Sequence, residues 1–167
     1  GGAFGMRSGP YPENILVLWT AKLLGRPVKW TGDRTEAFQS DDQARDNLST
    51  VELALDEGGH FLGLRVTTVA NLGAYLTLLG PHSATNNLGS LSNTYKTPAI
   101  YTHVTGVFTN TNSTGPYRGA GRPEAVYCVE RVIDTAAREM GIDAAELRRR
   151  NLIPAISEPF STGFLFT

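Results

Sequence analysis

The residues of this sequence best suited to chemistry are two arginines set among glycines, in the stretch PYRGAGRPEA at 116–125. Gly119 and Gly121 permit positive φ and the close approach of another group, because they carry no side chain. The proline and glutamate that come next are typical of a first helical turn. Arg118 and Arg122 therefore flank a glycine loop that leads into a helix N-terminus, an arrangement suited to holding an anion.

A second glycine-rich loop, GGAFG, occupies residues 1–5 and also precedes a predicted helix. Two such loops could grip opposite sides of one flat, polar, anionic ligand through their backbone N–H groups. Arg118 could add a charge-assisted hydrogen bond. The alternative is an ordinary loop-to-helix turn with two surface arginines, since short glycine patterns recur by accident.

The common catalytic and metal-binding patterns are absent from the sequence. His60, His82 and His103 are isolated, with no cysteine or acid at the spacing of zinc ligands, so no metal-ligating residues are predicted. The single cysteine, Cys128, falls in a predicted helix, where the role of a small buried hydrophobe is expected. There is no G-x-S-x-G turn, no P-loop and no G-x-G-x-x-G after a strand. The adjacent acids Asp41 and Asp42 are interpreted as turn residues.

The composition is that of an ordinary soluble globular domain. A length of 167 residues allows one domain with a real core, and 41% hydrophobic with 19% charged residues agrees with this class. A formal net charge of −1 offers no electrostatic reason to expect nucleic acid or an anionic membrane as a partner. No apolar run reaches the ~20 residues that span a bilayer, and no signal peptide pattern is present. The expected location is therefore the cytoplasm.

The elements that must position the two loops form an α+β pattern. Helices are predicted at about 12–25, 123–140 and 143–151, and strands of an antiparallel sheet at about 50–57, 60–71 and 100–110. The first helix is apolar all round and is expected to be buried on most sides. A further short strand is predicted at 27–31, followed by a polar loop or connector, and a long loop with room for one short helix at about 71–94. The predicted fold is a mixed, mainly antiparallel sheet with packed helices.

Several motifs in register extend this picture by resemblance. GGAFG, GRPVKWTGDRTEAF, NLGAY, YKTPAIY, PYRGAGRPEA and GIDAAELRRRNLI occur in that order. Over about residues 1–155 they resemble the molybdenum-binding large subunit of the xanthine oxidase family, especially its carbon monoxide dehydrogenase and aldehyde dehydrogenase branch. Members hydroxylate a carbon centre with oxygen from water. They use molybdopterin, often as its cytosine dinucleotide, and pass electrons to iron–sulfur and FAD-binding partner subunits.

The resemblance implies roles for individual residues. Phe4 and Gly5 match the family loop whose backbone lies over the molybdenum centre, and Arg118 matches the arginine beside that centre, which makes it the implied catalytic residue. Arg122 has a basic counterpart in the carbon monoxide branch but not in xanthine oxidases. The implied cofactor-binding set is Gly2, Phe4, Gly5, Arg118, Gly119, Ala120 and Gly121.

Departures from the family pattern narrow the implied substrate. Xanthine-type members have a glutamate where this chain has Ser8, an arginine at Asn86 and a stacking phenylalanine at Ala120, so a purine pocket is not expected. Copper-containing carbon monoxide dehydrogenases have a cysteine at Gly119, and glycine offers no thiolate to copper. The resemblance therefore implies oxidation of an aldehyde or a heterocycle.

The family's glutamate base lies near the C-terminus of the large subunit and has no counterpart in this sequence. We therefore expect residues 1–155 to be a fragment of a larger molybdopterin-binding domain, and 156–167 to be a tail leading into the missing remainder. By itself such a fragment is expected to hold no cofactor and to be inactive. The alternative is a non-catalytic anion-binding or interaction module that uses its glycine loops only as turns. A nucleotide-binding domain is disfavoured by the missing glycine fingerprint.

Overall fold

The centre of the computed structural model is a three-stranded sheet in the order β1 (Asn47–Leu55), β2 (Phe61–Gly73) and β3 (Ile100–Phe108). The structure describes residues 2–86 and 88–155, so the predicted tail at 156–167 lies outside the described residues. β1 and β2 form the predicted antiparallel hairpin, joined by the short turn at 56–60.

The third strand differs in direction from the expectation. β3 pairs with β2 in parallel, from Leu64 opposite Ile100 to Gly73 opposite Phe108, so the sheet is mixed, with one antiparallel and one parallel pair. The physical reason is the path of residues 74–99, which carries the chain back along the sheet before β3 begins. Parallel neighbours need a crossover of about a dozen residues or more, and this connection provides it.

The predicted long helices are all present. They are α1 (Pro12–Leu24), α4 (Arg122–Met140) and α5 (Ala144–Asn151), and two shorter helices, α2 (Arg34–Ser40) and α3 (His82–Thr85), lie between them in the chain. α3 and a 3-10 turn at Leu88–Ser90 fall in the predicted long loop. This confirms the α+β class. None of the helices in the described ranges is long and apolar enough to cross a membrane.

The core lies between the sheet and the two C-terminal helices. Alternate residues of β2, such as Leu64 and Val66, are buried on one face of the sheet, as period-two alternation predicts. Val129 and Ile133, which are four residues apart on α4, are buried against it, and Leu147 of α5 completes the contact. This packing sets where α4 begins and thus where the loop at 117–121 stands.

The expectation that α1 would be buried on most sides does not hold for the described residues, of which none in α1 is buried. Leu18 is 72% exposed and Leu23 is 67% exposed. The reason is that the core is filled from the other side of the chain, by α4 and α5, while α1 is attached mainly through the loop before it.

Two local predictions between α1 and β1 were wrong. Residues 27–31 form no strand, because the sheet pairs other segments and leaves them no neighbour. The polar connector contains α2, whose Asp33 Oδ1 accepts a hydrogen bond from Glu36 N at 2.7 Å, while Glu36 Oε2 accepts from Asp33 N at 3.3 Å. This reciprocal capping box was a readable signal in the sequence D-R-T-E.

Candidate functional site

The structure brings the two glycine loops into direct contact. The ring centroids of Phe4 and Tyr117 are 6.3 Å apart. Gly5 has a φ of 102°, and a Cβ added to it would lie 2.5 Å from the carbonyl oxygen of Pro116. Only glycine permits both this backbone conformation and this approach. The two glycine loops are therefore in contact, which a site formed by both of them would require.

Positive φ angles run through the second loop. Gly119, Ala120 and Gly121 have φ values of 100°, 47° and 97°. Gly121 is the N-cap of α4 and gives it no side-chain cap. Arg122 N already donates to the Gly119 carbonyl and Pro123 has no N–H, so the start of this 19-residue helix offers chiefly the positive end of its dipole beside the loop.

The two arginines of the loop are placed differently. Arg122 folds back, and its Nη1 donates to the Gly119 carbonyl at 3.3 Å. Arg118 is exposed, and no acid among the described residues forms an ion pair with it. Its charge is therefore open to an anion from outside this part of the chain.

Two of the three positions that depart from the xanthine-type pattern, Asn86 and Ala120, are neighbours. Asn86, at the end of α3, donates from Nδ2 to the carbonyl oxygen of Ala120 at 3.4 Å. Ser8 lies in the first loop, where its N–H donates to the Gly5 carbonyl at 3.2 Å. The described residues contain no group of three histidine, cysteine or acidic side chains that could hold a metal ion. Any anionic ligand would thus be held by backbone and arginine.

Residues 41–45, whose two acids the sequence analysis interpreted as turn residues, contact the chain near both loops. Asp42 Oδ1 accepts from Ser113 Oγ at 2.6 Å. Gln43 N donates to the Ser113 carbonyl at 2.9 Å, and Gly115 N donates to the Gln43 carbonyl at 2.9 Å. Burial raises the pKa of the Asp42 carboxyl, an effect opposed by the hydrogen bond from Ser113. These contacts fix the extended segment that leads into the second loop.

The same segment holds the first loop. The Tyr11 hydroxyl donates to the Met6 carbonyl at 3.0 Å and accepts from Asp42 N at 3.1 Å. Arg7 Nη2 lies 2.5 Å from Asp41 Oδ2, and this partner raises the pKa of the guanidinium. Asp41 and Asp42 are therefore structural anchors of the site. No local sequence signal identifies them, because their partners are distant in the chain.

Together these features describe an α+β unit in which two glycine loops meet and Arg118 is exposed beside them. The family comparison agrees with this class. Residues 1–152 match the model of the molybdopterin cofactor-binding domain. The chain belongs to this family, whose related proteins are the large subunits of carbon monoxide dehydrogenases, xanthine dehydrogenases and other molybdenum hydroxylases.

Individual relatives match nearly the whole chain. It is 39% identical to the 6-hydroxypseudooxynicotine dehydrogenase complex subunit gamma of Paenarthrobacter nicotinovorans, over 98% of this chain and 20% of that protein. It is 38% identical to the carbon monoxide dehydrogenase large chain of Hydrogenophaga pseudoflava, over 99% of this chain and 21% of that protein. The structure of quinoline 2-oxidoreductase from Pseudomonas putida 86 superimposes with a TM-score of 0.90 at 34% identity, over 97% of this chain and 21% of that one. The chain thus spans about a fifth of the length of the relatives it matches.

The contact between the loops predicts the effect of a single methyl group. In the full-length protein, Gly5→Ala would place a Cβ 2.5 Å from the Pro116 carbonyl oxygen at a φ of 102°. The first loop must then move, at a cost of about 1–3 kcal/mol, so bound molybdenum should fall about tenfold. The measurement is molybdenum per protein by elemental analysis.

Gly9→Ala, in the segment between the first loop and α1, is the matched control, because a Cβ there meets no atom within 4 Å. It should leave the molybdenum content unchanged. Equal molybdenum in Gly5→Ala and the wild type would show that the contact between the loops does not shape the cofactor site.

Proposed function

We propose that the chain forms part of the cofactor site of a molybdenum hydroxylase that oxidises an aldehyde or a heterocycle with oxygen from water. The observation that supports this most is the meeting of the two glycine loops beside the uncapped start of α4, with Arg118 exposed at the same place. The positive-φ glycines let the two loops pack closely together, and the helix terminus and the arginine favour a negatively charged ligand beside them. These residues fit an anionic pterin cofactor.

In this proposal each loop has a separate task. Gly2, Phe4 and Gly5 would supply the backbone of one wall, and Gly119, Ala120 and Gly121 that of the other. Arg118 would place its guanidinium against the anionic side of the cofactor and stabilise negative charge there. The bound molybdopterin, proposed to be the cytosine dinucleotide form, supplies the redox chemistry of hydroxylation. The chain's own contribution is to bind, to orient and to neutralise charge.

The geometry of Gly119 supports the exclusion of copper chemistry. A Cβ at this position would lie 2.5 Å from both Cδ and Cγ of Pro123, and the φ of Gly119 is 100°. A cysteine therefore does not fit this backbone unless the turn into α4 is rebuilt. Cys128 is no substitute, because it lies on α4 with its side chain half-buried. We infer that the assembled enzyme carries no stoichiometric copper.

Two residues of the site argue against a purine as the substrate. Ala120 has no ring that could stack on a purine. The neighbouring Asn86 has no charged group that could bind a purine. Several relatives are named for heterocycles that are not purines, among them quinoline 2-oxidoreductase and nicotine 6-hydroxylase. An aldehyde or an aromatic heterocycle is therefore the proposed substrate class.

The proposed partners are an FAD-binding subunit and an iron–sulfur subunit, which would carry electrons away from the cofactor. The names of the relatives describe one subunit of a complex, one large chain and one large subunit. A chain that holds only the molybdenum site needs such an electron acceptor, because the two electrons of each turnover must leave before the next.

The test is metal analysis of the purified complex together with dye reduction. We expect molybdenum near one per large subunit, no stoichiometric copper, and dye reduction with a member of a panel of aldehydes and heterocycles but not with carbon monoxide. Copper at one per molybdenum with turnover of carbon monoxide would overturn the substrate assignment. A complex without molybdenum would favour the non-catalytic module instead.

A further inference from the structure

Arg45 makes three contacts with the segment that surrounds Arg118, although the sequence analysis did not single it out. Its Nη2 donates to the Arg118 carbonyl oxygen at 2.5 Å. Its Cζ lies 5.1 Å from the centroid of the Tyr117 ring, and its Nε lies 3.7 Å from Glu124 Oε1. One side chain thus contacts the two residues before the glycine run at 119–121 and one residue after it.

We propose that Arg45 is a positioning residue, which holds the loop of Arg118 in the orientation that the cofactor site requires. This inference rests on the proposed function as far as the reaction is concerned. The anchoring of the loop by itself rests only on the contacts of Arg45.

The bond to the Arg118 carbonyl sets the direction of one peptide plane. In a planar trans peptide, the N–H of the next residue points opposite to the carbonyl. With the Arg118 carbonyl turned toward Arg45, the N–H of Gly119 points away from Arg45. The flanking carbonyls accept from the loop itself, since Ala120 N donates to Tyr117 O at 2.6 Å and Arg122 N to Gly119 O at 3.1 Å. Arg45 therefore holds the peptide that these internal bonds leave free to rotate, and glycine itself restrains it little.

The carboxylate of Glu124 gives Arg45 a second role, as the partner of a mostly buried charge. Its side chain is 12% exposed, and its Oε2 is buried without a hydrogen-bond partner among the described residues. Among the ion pairs of the described residues, this carboxylate is paired only with the guanidinium of Arg45. Removing it would leave a mostly buried charge uncompensated in the first turn of α4, which is costly. The Glu124 side chain would then turn toward solvent and disturb the first turn of α4.

The backbone of Arg45 is consistent with a position determined by these contacts. Its φ is 66°, a left-handed conformation that a non-glycine residue adopts only when its surroundings stabilise it. The Arg45 side chain is 38% exposed. Solvation by itself therefore does not explain why the side chain lies against the loop. A planar guanidinium can donate to a carbonyl, pair with a carboxylate and stack on a ring at once, which an ammonium group cannot do.

The test uses the full-length enzyme with its partner subunits and compares Arg45→Met with the wild type. Methionine keeps the length of the stem and adds no new backbone restriction, but it removes all three polar contacts. Hydrogen exchange of the amides in the peptide 116–124 should become about ten- to a hundredfold faster, because a charge-assisted bond that restrains the loop is lost. The value of kcat should fall by about tenfold or more, with a smaller change in KM.

Two further variants separate positioning from a general effect on folding. Arg45→Lys should show an exchange rate between those of the wild type and Arg45→Met, and a kcat above that of Arg45→Met. If Arg45→Met does not accumulate, Arg45→Lys is compared with the wild type in its place. Arg65→Met is the matched control, since Arg65 forms an exposed ion pair with Glu52 on the sheet and has no contact with the loop among the described residues. It should change neither the exchange of peptide 116–124 nor kcat.

Unchanged exchange of peptide 116–124 in Arg45→Met would overturn the proposal, as would faster exchange with an unaltered kcat. Exchange does not depend on turnover, so it also separates this proposal from the proposed function. If the wild-type complex held no molybdenum but the loop still opened in Arg45→Met, the anchoring would stand and the assigned reaction would fall.

Discussion

Arg118→Ala in the full-length enzyme should lower kcat by about 10²–10³, the loss typical of one preorganised electrostatic donor. Arg118 is exposed and is paired with no acid in the described part of the chain, so its removal breaks no internal ion pair. The fold should therefore survive, and the loss should fall on the reaction. Steady-state kinetics at equal molybdenum content, with the melting temperature measured in parallel, would show this separation.

Arg131→Ala is the matched control for that experiment. Arg131 is an exposed arginine on α4, about 13 Å along the helix from Arg122 at 1.5 Å per residue, so it lies well away from the loop. Its removal should leave kcat near the wild-type value. If Arg118→Ala with a full complement of molybdenum turned over at the wild-type rate, Arg118 would be a surface residue and the catalytic assignment would be lost.

Asn151→Ala should destabilise the turn between β1 and β2 by about 2–4 kcal/mol, because buried backbone groups lose their partners at about 1–3 kcal/mol each. Asn151 is 1% exposed, and its Oδ1 accepts from Phe61 N at 2.8 Å. Its Nδ2 donates to the carbonyls of Gly59 and Leu147, at 2.8 and 2.9 Å. One side chain therefore joins α5 to the hairpin.

The effect can be measured by hydrogen exchange in the full-length protein. Amides of β2 that follow the turn should exchange about 30- to 700-fold faster in Asn151→Ala, since about 1.4 kcal/mol corresponds to a factor of ten. Asn110→Ala, at an exposed asparagine with no side-chain hydrogen bond among the described residues, should leave the exchange of β2 unaltered. A similar small effect in both variants would mean that the amide of Asn151 contributes little to the hairpin.

The elements with local signals were predictable. α1 and α4 end before Gly25 and Gly141, which have φ values of 61° and 66°, as expected of glycines that close a helix. The glycine loops were likewise found from their composition, because positive φ is a property of the residue type. The role of the loops in binding a cofactor stays a proposal.

Features that depend on the path of the chain were not predictable from residue patterns. The parallel pairing of β3 with β2 follows from where residues 74–99 carry the chain, and β-branched residues favour either direction. The exposure of α1 is a second example. Its apolar residues indicate that it should be covered, but not which part of a chain covers it.

The sequence by itself determined the three longer helices, the hairpin, the two glycine loops and the resemblance that the family match confirmed. Only the tertiary structure decided that the two loops touch, that Arg118 is open while Arg122 folds back, and that residues 41–45 hold both loops. The physical reason is distance along the chain. Propensity and periodicity act over a few residues, whereas Arg45 and Arg118 are separated by 73 positions and meet only when the sheet and α4 have packed.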